Sequence, residues 1–147
     1  MYFRASELDA EAFDRDGYFL TGDLGSIEAD GLILFRGRMK EIIKTGGVNV
    51  APLEIEQVLL KHPHTVQAHV VGVPDQSKGE VVAAVIELRA GALADTTAIL
   101  AFCRERLASY KVPVRLVIRS AAEFPRTPTG KIHKPRLRQE LAIETTT

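Results

Sequence analysis

The sequence predicts an α+β fold: a small mixed sheet covered by helices and preceded by a β-hairpin segment. Three observations carry this expectation. Gly46-Gly47 separates two short apolar stretches, and Pro52 opens a helical stripe just beyond them. Val81 to Leu88 is a nearly continuous run of apolar and β-branched residues, the pattern of a central strand covered on both faces. From Leu53 to Arg119 the segments read helix, strand, strand, helix, strand, which packs as one sheet layered with helices.

At the start of the chain, Ser6 to Phe13 fits a short helix, with Ser6 as N-cap and Asp9 three residues on. Asp16-Gly17 marks a turn before the strand-like Tyr18-Phe19-Leu20. After T-G-D-L-G (Thr21 to Gly25), Ile27 to Arg36 reads as a hairpin with Asp30-Gly31 at its turn. These residues are β-rich but too few to bury a core, so they read as the edge of something larger. A second hairpin turns at Gly46-Gly47 and continues through Val48-Asn49-Val50, since a glycine pair permits φ > 0 at both turn positions.

Pro52 has no N–H to satisfy at a first helical position, so the helix starts sharply there. Leu53, Ile55, Val58, Leu59 and Leu60 give it one apolar stripe up to Lys61, with Glu54 and Glu56 where the helix dipole favours acids. His62-Pro63-His64 ends it, and with no third ligand at zinc spacing, termination by proline accounts for the triplet better than a metal. Val66 to Val73 is a strand in which His69 is half-buried, and Pro74-Asp75 with Ser77-Lys78-Gly79 is a turn.

Asp95 or Thr96 caps the next helix, which runs to about Leu107 and buries Ile99, Leu100, Cys103 and Leu107. Ser109 to Pro113 breaks it, and Arg115 to Arg119 alternates as a short strand. Pro125 to Lys134, P-R-T-P-T-G-K-I-H-K, holds too much proline, threonine and glycine for a helix or central strand. It reads as an ordered loop presenting Lys131, followed by a short basic helix from Pro135 to Leu141.

The 147 residues, 46% hydrophobic and 26% charged, suit one soluble globular domain, or one domain with a piece of another. Apolar runs are too short to span a bilayer, and no charged and apolar leader opens the chain. The single cysteine cannot form an internal disulfide, has no metal-ligand companion, and reads as a buried structural thiol. A cytoplasmic location is expected, and no metal site. Net charge is zero, yet residues 1–31 carry −6 and residues 125–140 carry +4. The basic segment lacks aromatic interleaving and any helix-turn-helix pattern, so a small polyphosphate fits it better than nucleic acid.

The stretch Gly37 to Glu56, G-R-M-K-E-I-I-K-T-G-G-V-N-V-A-P-L-E-I-E, resembles the hinge and glycine-loop motif of AMP-forming acyl-CoA synthetases, members of the adenylate-forming superfamily. G-Y-F-L-T-G-D-L-G (Gly17 to Gly25) and P-R-T-P-T-G-K (Pro125 to Lys131) resemble two further motifs of that family, so the resemblance covers nearly the whole chain.

The resemblance implies roles. Asp23 would bond the ribose hydroxyls of ATP and of the acyl-adenylate, and Arg38, fifteen residues on, would also contact the ribose. Lys131 would be the catalytic lysine of adenylation, acting at the ATP phosphates. Lys40 would be the hinge. Lys44 would face the active site in the second half-reaction, and Gly46, Gly47 and Val48 would serve the CoA thioester step. Asn49 departs from relatives that carry an arginine there for the CoA nucleotide. Residues 1–39 would be the final strands of a large N-terminal adenylating domain, and residues 40–147 the C-terminal lid.

The implied ligands are ATP, with Mg bound mainly by the missing domain, then CoA and a small-molecule carboxylic acid. The implied partner is the chain's own N-terminal adenylating domain. No Ser/Thr/Gly-rich phosphate loop and no acyl pocket are present, so the chain is expected to be inactive alone. A peptide-synthetase adenylation domain loading a carrier protein is the main rival, although its pattern reads more like N-G-K-x-D-R than T-G-K-I-H-K. Luciferase-like oxidation is a rare branch. A non-catalytic stand-alone binding module is a third reading, against which intact Asp23, Arg38 and Lys131 argue.

Overall fold

A computed structural model describes residues 12–143, which form two compact units, one ending at Lys40 and one beginning at Glu41. The helix expected over Ser6 to Phe13 lies outside the described residues up to residue 11.

In the first unit, β1 (Asp23–Ile27) pairs antiparallel with β2 (Ile33–Arg38). The hairpin expected from Ile27 to Arg36 therefore begins earlier, inside the T-G-D-L-G stretch. Tyr18 to Leu20 is not a strand; it contributes only a bridge between Phe13 and Phe19. The reason is local. The Asp14 carboxylate accepts the N–H groups of Asp16 and Tyr18, curling residues 14–18 into a turn. Gly31, at φ +86°, makes the predicted Asp30-Gly31 reversal, and Leu32 N–H donates to the Asp30 carboxylate.

The second unit contains β3 (Ile43–Thr45), β4 (Val48–Val50), α1 (Pro52–Leu60), β5 (Thr65–Asp75), β6 (Gly79–Leu88), α2 (Thr96–Arg104), β7 (Arg115–Ile118) and α3 (Lys134–Ile143). Five strands make one sheet in the order β4-β3-β6-β5, with β7 also on β6. One edge of β6 pairs with β5 along its length. The other pairs with β3 at Gly79 and, in parallel, with β7 from Ala83 to Ile86, which makes the sheet mixed as expected.

Alternation along β6 divides the core. Val82, Ala84 and Ile86 face Ile55 and Leu59 of α1 and Ile99 and Cys103 of α2. Val81, Ala83 and Val85 face Phe124 and Leu137 and Leu141 of α3. Each fully buried branched side chain contributes about 1.5–3 kcal/mol relative to exposure, so β6 is the strand on which both apolar layers depend. Cys103 is buried, and burial raises its thiol pKa, in keeping with a structural role.

Several sequence expectations need correction. Leu60 is exposed rather than part of the buried stripe of α1, which is made by Pro52, Ile55 and Leu59, with Val58 partly buried against the same core. Pro74 and Asp75 continue β5 instead of turning. β5 is an edge strand, where proline costs no ladder hydrogen bond. The turn comes later, held by the Asp75 carboxylate accepting from Ser77 and Lys78 N–H. Asp95 is the N-cap of α2, accepting from Ala98 N–H, but the helix stops at Arg104, short of Leu107. The last helix runs longer than expected, from Lys134 to Ile143. No helix among the described residues is long and apolar enough to cross a membrane.

Candidate functional site

In the first unit the structure brings Asp23 and Arg38 together. They are register partners across β1 and β2, and Arg38 Nε donates to Asp23 Oδ1 at 2.9 Å. Both side chains are exposed, so their polar atoms are open to a ligand. Lys40 lies in a short 3-10 turn, Met39–Glu41, and is exposed.

The β3–β4 hairpin carries Lys44, Gly46, Gly47 and Val48. Lys44 pairs with Asn49 and Thr45 with Val48. Gly46 and Gly47 sit at φ +55° and +81°, the two-residue turn whose twist matches that of its strands. A Cβ built on either glycine would meet nothing within 4 Å, so this backbone is bare and approachable. The hairpin is also held in place: Gly46 N–H donates to Lys78 O at 2.9 Å, and Lys44 N–H to Glu80 Oε2 at 2.8 Å. Glu80 in turn pairs with Arg138 of α3 at 2.7 Å.

The loop that presents Lys131 is closed on itself. Thr127 N–H donates to Lys131 O at 2.7 Å, and Lys131 N–H returns to Thr127 Oγ1 at 3.2 Å. Gly130, at φ +82°, makes the reversal, and Arg126 donates to its carbonyl at 3.0 Å. His133 N–H to Pro125 O closes the base of the loop above buried Phe124. The result is an exposed lysine on a stiff support.

The charges around it are otherwise used internally. Arg126 is bound to Gly130 O, Lys134 to Glu41 and Glu56, Arg136 to Glu140, and Arg138 to Glu80. Among the described residues, Lys131 is the one cation of the 125–140 segment whose side chain has no protein partner. No hydrogen bond or ion pair joins Lys131 to the glycine hairpin among the described residues.

Sequence reasoning missed a half-buried cluster beneath this loop. Lys134 Nζ lies 2.6 Å from Glu41 Oε2 and 3.0 Å from Glu56 Oε1. Burial disfavours its charge, but Glu56 and Glu41 outweigh that and hold the ammonium above its ordinary pKa. Glu56 Oε1 also accepts Val70 N–H at 2.9 Å. His69, against the Phe124 ring, has its pKa lowered, first by burial; Lys134 and Arg126 lower it further while Glu56 and Glu41 oppose them. No local signal could have shown this cluster, since Lys134 lies 93 and 78 residues from its two acids.

The residues fit the implied ligands in chemistry. A carboxylate and a guanidinium suit ribose hydroxyls, a partnerless ammonium suits phosphoryl oxygens, and a side-chain-free turn suits close approach of a slender arm. No cluster of three or more metal-binding side chains occurs among the described residues.

Comparison with known proteins gives a consistent picture. A family model described as the AMP-binding enzyme C-terminal domain matches residues 54–131. The chain is 43% identical over 136 residues to the sulfoacetate–CoA ligase of Cupriavidus necator, covering 92% of this chain and 26% of that protein. It is 43% identical over 140 residues to the 2-succinylbenzoate–CoA ligase of Geobacillus kaustophilus, covering 95% and 27%. Among solved structures, ATP-bound MatB from Rhodopseudomonas palustris matches with a TM-score of 0.86 at 37% identity, over 95% of this chain and 27% of that one. The chain thus spans about a quarter of the length of the curated relatives it matches.

Proposed function

Because the chain belongs to the AMP-binding enzyme C-terminal domain family, we propose that it is the C-terminal lid, with the last strands of the preceding domain, of an AMP-forming acid–CoA ligase. The observation that carries this is Lys131: an exposed ammonium without a protein partner among the described residues, on a loop closed by its own hydrogen bonds, inside a segment whose other cations are paired.

In the first step a carboxylate attacks the α-phosphorus of ATP and pyrophosphate leaves. Negative charge grows on the phosphoryl oxygens and on the departing group. Lys131 meets that charge with a point charge that already stands ready, which is where electrostatic catalysis acts. Asp23 accepts from the ribose hydroxyls and Arg38 donates beside it. In the second step the lid turns about Lys40, and the hairpin with Lys44, Gly46, Gly47 and Val48 guides the CoA thiol to the adenylate.

Residues 1–39 are, in this reading, the final strands of the N-terminal adenylating domain. Their apolar exposure supports it: Ile27 and Ile33 on the hairpin and Tyr18 before it are 75%, 73% and 72% exposed, more than a complete domain leaves bare on so small a stretch. The chain alone is inactive, because acyl pocket, phosphate loop and magnesium site lie in the other domain. A carrier-protein-loading adenylation enzyme is the second reading, and the ligases among the relatives favour CoA over it.

The test is ATP–pyrophosphate exchange by the enzyme whose C-terminal part is this chain, assayed with and without Lys131→Ala. Exchange lost in the variant and thioester formation from preformed adenylate retained support the reading. Exchange at the parental rate overturns it.

A further inference from the structure

The cluster around Lys134 has no role in the two-step scheme, yet it joins the parts that the scheme must keep in register. Lys134 is the first residue of α3 and lies three residues after Lys131. Its ammonium reaches Glu41, which directly follows the hinge residue Lys40, and Glu56 on α1. The Lys134 and Glu56 side chains are only 22% and 12% exposed, so this pair is far less screened than the surface ion pairs of the chain. Glu56 is itself fixed, since the oxygen that meets Lys134 also accepts Val70 N–H from β5.

We propose that Lys134 is a positioning residue: it locks the Lys131 loop to the segment after the hinge and to helix α1, so that hinge rotation carries Lys131 as part of one rigid body. The inference rests on the adenylation role given to Lys131 above. The short span supports it. Three residues reach at most about 10–11 Å, so an anchored Lys134 leaves Lys131 little freedom. The rest of the loop is stiff as well, through the Thr127–Lys131 and Pro125–His133 hydrogen bonds. Phe124 and Ile132 bind the loop to the apolar layer beneath it, whereas Lys134 ties it to Glu41.

A neutral side chain at residue 134 does more than delete a contact. It leaves two partly desolvated carboxylates facing each other, which drives Glu41 and Glu56 apart. The loop then loses its link to the hinge-proximal segment while the core stays intact.

Amide hydrogen exchange on the chain tests this, with Lys134→Met, Lys134→Arg and Glu41→Gln, followed by kinetics in the enzyme that carries it. Lys134→Met is expected to speed exchange about tenfold at Thr127, Lys131 and His133, leave Val85 in β6 protected, and be rescued by Lys134→Arg. In the enzyme it should lower kcat for pyrophosphate exchange with little change in ATP KM, and leave thioester formation from preformed adenylate unaffected. Unchanged loop amides in Lys134→Met overturn the proposal, as does parallel loss of protection at Val85, which would mark a general stabilising role. If Lys134→Met does not fold, Glu41→Gln decides by the same amides. Loosened loop amides with undiminished pyrophosphate exchange would keep the positioning role and instead overturn the adenylation role of Lys131.

Discussion

Asp23 and Arg38 stand opposite each other on β1 and β2, with Arg38 Nε 2.9 Å from Asp23 Oδ1. Their fifteen-residue separation is the length of one hairpin, so the register of β1 on β2 is what brings the pair together. Exposed pairs of this kind stabilise by about 0–1 kcal/mol. Asp23→Asn should therefore leave the melting temperature nearly unchanged. It should raise the ATP KM of the enzyme about tenfold or more, because a hydrogen bond to a charged acceptor is the stronger kind. Pyrophosphate exchange against ATP concentration measures this, and an unchanged KM would remove Asp23 from the nucleotide site.

Lys131→Ala should separate function from folding. The side chain is exposed and makes no hydrogen bond or ion pair among the described residues, so thermal melts should overlay those of the parent. Adenylation should fall by roughly 10²–10³-fold, the loss seen when one preorganised charge-stabilising group is removed.

Gly47→Ala should cost stability through the backbone. Space is open around the residue, but φ is +81°, where an L side chain is strained. A penalty of about 1–2 kcal/mol is expected, read as a lowered midpoint in urea. A Gly25→Ala change offers a contrast, because there a Cβ would stand 3.1 Å from Leu34 O, so any cost is steric.

His69 predicts a pH dependence. Burial lowers its pKa in the folded chain below the ordinary value of 6.5. A group with a depressed folded pKa binds its proton more readily when unfolded. Its contribution is thus fully present above pH 6.5 and is lost as pH falls through the folded value. Melts between pH 7.5 and pH 5 should show the parent losing stability on acidification more steeply than His69→Gln. Parallel slopes would show that the carboxylates alone set the acid response. Lys134 behaves oppositely at the alkaline end: its raised pKa means that stability holds below the ordinary lysine value of 10.5 and falls as pH rises through the folded one.

Leu137→Ala, on the α3 face of the sheet, should cost about 2–5 kcal/mol as a fully buried leucine. Since α3 follows the Lys131 loop, the same variant should loosen that loop, visible as faster amide exchange at His133.

The sequence by itself determined the elements whose causes are local. Gly46-Gly47 permits φ > 0 at both positions of a tight turn, Pro52 starts a helix, Asp95 or Thr96 caps one, and the apolar run from Val81 to Leu88 has to be covered on both faces. These are properties of a few neighbouring residues, so they survive without knowledge of the fold. The same holds for the stretch from Pro125 to Lys131, where proline, threonine and glycine dictate a loop that presents its lysine.

Only the tertiary structure decided which side chains meet and which stay free. Pro74 could extend β5 because that strand lies at the sheet edge, and Leu60 became exposed because the sheet lies under the other side of α1. The pairing of Lys134 with Glu41 and Glu56 depends on the register that brings residue 134 against residues 41 and 56. Ion pairs between residues distant in sequence leave no periodic trace along the chain, because electrostatic attraction acts through space and not along the backbone. Lys131 was legible as a lysine on a loop; that it alone among the basic residues around it keeps its side chain unpartnered, among the described residues, is a fact of the fold.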